Sequence, residues 1–177
     1  VLWIGVVEQL DAVEQGDIDA TVLQNAAQQT TNSFYMFNWN KADDPFKEKL
    51  FRDKRFRQAM SYLTDRDSIT EIVDGFGAPA FGPVSPVYEQ WYTEDQPAYT
   101  FDPDKALALL AEMGFTEKNG DGWLVDAEGN ELGFTLASIS SNDEAMQVIQ
   151  IVTDTMREYG INAEPVGLEF SVLVDQL

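Results

Sequence analysis

The chain has no cysteine and no histidine. Disulfides, thiol nucleophiles, thiolate metal sites and histidine-based triads are therefore excluded. Positive charge is scarce: Lys plus Arg is 11 against 31 for Asp plus Glu, a net charge of −20. So negative a surface repels a phosphate backbone and an anionic bilayer, which argues against nucleic acid and against membrane-surface partners. It also points to a salt-tolerant source. No apolar run is long enough to span a bilayer; residues 1–7 are apolar but short, and lack the charged flank of a signal peptide. The first residue is not Met, so the chain reads as part of a longer protein. What is present is 177 residues with a hydrophobic fraction of 44%, enough for one domain with a sizeable core, or one domain and a fragment.

The cations are concentrated. Seven of the eleven fall between Lys41 and Arg57. They offer a patch for a phosphate, but the preferred reading is a local counterweight, with Arg55 and Arg57 paired to carboxylates. In the same stretch Phe56, Ala59, Met60 and Leu63 recur at i, i+3, i+4 and i+7, one face of a helix. Asp53 is placed to cap that helix, Asp65 or Asp67 the next, with Ser68 and Glu71 spaced as a capping box and Gly75 as a stop. A Pro-Phe turn, Pro45 and Phe46, precedes them.

Several fixed spacings here match at once. Asn40 stands five residues before Pro45-Phe46; Asp53, Arg55, Arg57, Gln58 and Ala59 follow, then Asp65, Arg66 and Ile69. The pattern resembles the family 5 extracellular solute-binding proteins, the oligopeptide and dipeptide receptors of ABC importers. Further segments match the same family: residues 16–20 (with Asp17 for a Glu), the loop carrying Gly77, Pro79, Ala80, Gly82, Pro83 and Pro86, residues 101–115 (with Phe101 for a Tyr and Met113 for an Ala), and the Gly160-Ile161 strand start. The resemblance covers residues 40 to about 166. It implies an α/β fold: one lobe of a type II periplasmic-binding-protein-like architecture, a central sheet flanked by helices. Residues 1–33 would be a remnant of the first lobe or an inter-lobe segment, and residues 34–177 the second lobe, truncated at its C-terminus. The family's Trp- and Asp-containing segment that grips a peptide's amino terminus would lie beyond the chain's end.

Outside that stretch, residues 1–7 read as a buried strand, residues 8–14 as a short helix stopped by Gly16, and residues 24–32 as a polar, Gln-rich loop or linker. Residues 33–39 read as an aromatic strand, Phe34 and Met36 on one face, Tyr35, Phe37 and Trp39 on the other. Both faces are apolar, so each should meet protein or ligand. The position just before the family's second lobe favours the cleft for Tyr35 and Phe37, with Asn38 beside them. Residues 75–92 are rich in Gly and Pro and run along a surface or cleft; Gly82, Ser85 and Tyr88 are ligand-contact candidates, whereas Trp91 and Tyr92 are read as pinning the loop to its own domain. Asp102-Pro103 opens a packing helix closed by Gly114.

Glu117, Asn119, Asp121, Gly122 and Glu128 nearly fit a calcium loop, but position one is Glu and a strand follows, so a hairpin around Trp123 is preferred and Ca²⁺ is kept as a weak alternative at Glu117, Asn119, Asp121 and Glu128. Leu132, Phe134, Leu136 and Ser138 alternate as a strand face; a helix through residues 145–159 and a strand after Gly160 follow. Strand, helix, strand predicts a parallel pair with a right-handed crossover. Ligands collect at the C-terminal ends of such strands, so Ser138, Ser140, Ser141 and Asn142 are the second candidate loop, one that family members use to line the cleft; plain helix capping is the alternative. A further helix is expected at the chain's end.

The resemblance implies a binding module: a solute-binding component that captures peptides or a similar small solute between two lobes, without a cofactor, and presents the closed form to a membrane permease. Its location would be periplasmic or extracellular, secreted or anchored as a lipoprotein. The alternatives are a sensing or regulatory domain reusing the lobe, and a carboxylate-based hydrolase; no acidic pair stands out on apolar flanks to support the hydrolase.

Overall fold

The helices begin where a short polar side chain can satisfy a free backbone amide. A computed structural model describes residues 11–19, 21, 33–39, 44–72 and 77–176. The expectations for residues 1–7 and 24–32, for Asn40 and for the stop at Gly75 lie outside these residues. Asp44 accepts from Phe46 N at 2.8 Å and opens α1 (Pro45–Arg52). The Pro-Phe pair thus starts a helix instead of forming a free-standing turn, since the ring presets φ at a position whose amide needs no partner. Asp53 closes α1 and caps α2 (Lys54–Tyr62), accepting from Arg55 N at 2.8 Å. Asp65 accepts from Ser68 N and Ser68 Oγ and opens α3 (Arg66–Ile72). Asp102 opens α4 (Pro103–Glu112), and Asn142 opens the longest of the described helices, α5 (Asp143–Glu158). A last helix, α6, spans Phe170–Gln176.

Two small sheets complete the described structure. β1 (Glu117–Lys118) and β2 (Leu124–Val125) form an antiparallel hairpin, as expected from the Asp121-Gly122 turn. β3 (Gly133–Ile139) and β4 (Asn162–Leu168) run parallel through α5, with Phe134 opposite Ala163 and Leu136 opposite Pro165. The turn from α5 into β4 needs Gly160 at φ +88, where a side chain would strain the backbone. The expected strand at residues 33–39 is extended but joins no ladder among the described residues.

The chain divides into two compact units: residues 1–33 with 82–95, and residues 34–81 with 96–177. The second holds the core. Phe56, Ala59, Met60 and Leu63 of the α2 stripe are each 0% exposed. They meet Leu110 of α4, Phe134 and Leu136 of β3, Val152 and Met156 of α5, Ile161 just before β4 and Ala163 of β4. Apolar faces that recur every three to four residues on helices and every two on β3 bring this layer of side chains together. In the first unit a single helical turn at residues 11–14 ends at Gly16, φ +79.

Candidate ligand-binding surfaces

The alternation at residues 33–39 is real, but its inner face belongs to the core. Phe37 is the hub of an aromatic cluster, its ring centroid 4.8 Å from Phe56, 5.1 Å from Phe51, 5.4 Å from Phe134 and 5.7 Å from Tyr35. The Tyr35 hydroxyl lies 2.8 Å from Thr64 Oγ1 and 3.1 Å from the Met60 carbonyl, to which Thr64 also donates. Burial raises the Tyr35 pKa; the Thr64 hydrogen bond and the Arg66 charge offset this only in part. The cleft-facing role expected of Tyr35 and Phe37 is thus corrected: both side chains pack inward, because helices α1 and α2 cover that face. Phe34 and Met36, on the other face, are 75% and 71% exposed. Asn38 is exposed.

In the first unit, the Gly/Pro loop folds around Ser85. Its side chain is buried, its carbonyl accepts from Tyr88 N at 3.0 Å, and Tyr88 O accepts from Trp91 N and Tyr92 N. Pro83, Val84, Ser85, Tyr88 and Trp91 line an open cavity of about 340 Å³. The structure therefore brings Ser85 and Tyr88 together at one cavity, whose lining does not include Gly82. Trp91, read from the sequence as a pin, is 69% exposed and forms a wall of this cavity. Fixed prolines hold the loop, so the rings are presented at little entropic cost.

In the second unit, Ser138, Ser140, Ser141 and Asn142 form the turn from β3 into α5. Asn142 Oδ1 accepts from Ala145 N at 3.0 Å as the cap, while Ser140 N donates to Leu168 O at 2.8 Å and ties the turn to β4. Ser140 Oγ reaches Glu169 Oε1 at 3.4 Å. Ser140, Ser141 and Asn142 are exposed, and Ser138 is half-buried. The turn thus offers hydroxyl groups and the amide donors of a sixteen-residue helix at the carboxyl edge of two parallel strands.

The alternative calcium loop is used otherwise. Asn119 Oδ1 accepts from Asp121 N and Trp123 N, and Asn119 Nδ2 donates to Glu131 Oε2 at 2.8 Å. Among the described residues no group of three acidic side chains converges to hold a metal ion.

The cationic stretch also departs from expectation. Arg55 pairs with Asp53, Nη2 to Oδ2 at 2.7 Å, and that hydrogen bond holds the Asp53 carboxyl below the usual range. Among the described residues Arg57 forms no such pair: Nη1 donates to Phe51 O at 2.8 Å and the guanidinium lies 4.4 Å from the Trp39 ring centroid. The expected carboxylate partner is replaced by a carbonyl and an aromatic face.

Comparison with known proteins agrees with this architecture. Residues 4–176 match the family model described as bacterial extracellular solute-binding proteins, family 5, middle region. A probable ABC transporter-binding protein of Deinococcus radiodurans is 35% identical over 167 residues, which is 94% of this chain and 28% of that protein. The oligopeptide-binding protein AppA of Bacillus subtilis is 33% identical over 147 residues, 82% of this chain and 26% of AppA. The structure of AppA in complex with a nonapeptide superposes with a TM-score of 0.66 at 34% identity, covering 73% of this chain and 26% of that one. The chain thus spans about a quarter of the length of these relatives. With the caps, the parallel pair and the Gly/Pro loop all in place, the chain belongs to the bacterial extracellular solute-binding proteins of family 5.

Proposed function

We propose that this chain forms part of an extracellular receptor that captures peptides or similar small solutes between two lobes and delivers them to an ABC permease. The observation that carries the reading is the family match across residues 4–176. The AppA structure with its nonapeptide supports a peptide as the solute. Residues 34–81 and 96–177 would supply one α/β lobe. Each unit offers a contact of its own: in the second, the Ser138–Asn142 turn would meet peptide main-chain groups through hydroxyls and helix amides; in the first, the Tyr88 and Trp91 rings would stack on side chains. Loose side-chain pockets with main-chain hydrogen bonds suit a receptor for many sequences. No helix among the described residues is long and apolar enough to cross a membrane; the receptor would work in the periplasm or at the cell surface, free or lipid-anchored.

The test is calorimetric titration of the full-length receptor with a peptide pool, followed by the Tyr88→Ala and Trp91→Ala variants. Micromolar or tighter binding is expected, with each variant weakened by about 1 kcal/mol, the worth of one lost aromatic contact. Unaltered affinity in both variants would remove the loop from the site, and failure of all peptides to bind would overturn the peptide reading.

A further inference from the structure

Two cations of this acidic protein line one groove and a third stands against its wall. On α2 the polar face opposite the buried stripe carries Lys54, Arg57, Gln58 and Ser61, and with Phe81 and Tyr99 these line an open cavity of about 420 Å³. Behind it lies Arg66. Its Nη1 donates to the carbonyls of Ser61, Thr64 and Tyr99 at 3.1, 3.3 and 3.2 Å, its Nη2 donates to Ser61 Oγ at 3.0 Å, and its guanidinium carbon is 5.0 Å from the Phe81 ring centroid.

Among the described residues, none of Lys54, Arg57 and Arg66 has a carboxylate within ion-pair distance, although the chain carries 31 acidic residues. Arg66 is half-buried, and burial lowers its pKa. A half-desolvated guanidinium compensated by carbonyl dipoles, one hydroxyl and one aromatic face, with no carboxylate among the described residues, is an incomplete arrangement, since a buried charge is normally paired. The groove's neutral groups face the same way. Tyr99 Oη accepts from Gln58 Nε2 at 3.0 Å and Ser61 Oγ accepts from Arg66, so both hydroxyl protons are left to donate elsewhere. Donors and positive charge converge, and no carboxylate is among the residues that line the cavity.

We propose that this groove binds the oxyanion group, carboxylate or phosphate, of a small molecule, with Lys54 and Arg57 gripping the anion, Tyr99 and Ser61 donating to it, and Phe81 covering its apolar part. The site goes beyond the solute-capture reading, which uses none of these residues. Arg57 is held ready for such a grip, because its hydrogen bond to Phe51 O and its stacking on Trp39 fix the guanidinium before a ligand arrives.

The test is an amide chemical-shift titration of the 177-residue chain with inorganic phosphate and, separately, with succinate, at ionic strength held constant with sodium chloride. Saturable shifts are expected at residues 54–61 and at Tyr99. In Lys54→Gln, Arg57→Gln and the double variant, binding should weaken by about tenfold or more per cation, the loss of a charge-assisted hydrogen bond. Lys54 is exposed, so its variant keeps the fold and stays informative. Saturation by phosphate alone would assign a phosphate group, and by succinate alone a carboxylate. Linear, unsaturating shifts with both probes, or a dissociation constant unchanged in Lys54→Gln, would overturn the proposal.

Discussion

Phe37 and Phe34 lie three residues apart and have opposite roles. Phe37 touches three core rings, whereas Phe34 is 75% exposed. Truncating Phe37 to Ala should cost about 3 kcal/mol, through lost transfer energy and the void left among Phe51, Phe56 and Phe134. Phe34→Ser should stay within about 0.5 kcal/mol. Urea unfolding of both variants checks this, and equal losses would show that the two faces are not distinguished. The sequence makes the alternation legible but not the choice of face, because both faces are apolar; the decision comes from the helices that cover one of them. Arg57 teaches the same lesson about charge. Acidic neighbours are everywhere along the chain, yet a carbonyl and a ring took its guanidinium, and no local pattern encodes that choice. The Lys54, Arg57, Gln58 and Ser61 face was readable as the polar complement of the Phe56 stripe; what it faces was not.

Helices and turns were far easier to read. Asp53, Asp65, Asp102 and Asn142 each cap the helix they precede, because a short acceptor ahead of a periodic run has one efficient use. Strand pairing was less accessible: β3 and β4 follow from strand, helix, strand order, but whether residues 33–39 find a partner depends on contacts distant in sequence. The joint between α5 and β4 shows how much one position can carry. Gly160 sits at φ +88, and a Cβ there would lie 3.2 Å from Gly122 O and 2.8 Å from Lys118 Cε. Its carbonyl also accepts from Leu124 N at 2.7 Å, tying the hairpin to this turn. Gly160→Ala is therefore expected to cost about 1–3 kcal/mol. The same change at Gly120, which has a negative-side or extended φ and open space around it, should cost much less. Thermal melts of the pair test the difference.

At the scale of the molecule, the resolved carboxylate shifts all point one way. Arg55 lowers the Asp53 pKa, Lys105 lowers that of Asp102, and the Asn130 side chain lowers that of Asp126. Each group gives up its proton more readily folded than unfolded. The stability this adds is complete above the ordinary carboxylate value of about 4 and drains away as pH falls through the lower folded values. Urea midpoints should thus be flat from neutral pH to about 5 and then drop, and Asp126→Asn should make the drop shallower. A midpoint that rises on acidification would mean that relief of self-repulsion outweighs these contacts.

Helices α1 and α2 carry six cations, Lys47, Lys49, Arg52, Lys54, Arg55 and Arg57, against three carboxylates, Glu48 within α1 and the caps Asp44 and Asp53, within a chain of net charge −20. A visiting anion therefore meets two fields of opposite sign. In dilute electrolyte, where the screening length is about 30 Å, it senses the whole molecule and is pushed away; near physiological ionic strength, at about 8 Å, it senses chiefly the positive island. In concentrated brine that island fades too. Affinity for anions at this spot should accordingly peak at intermediate salinity, unlike the steady decline usual for a basic site on a neutral protein.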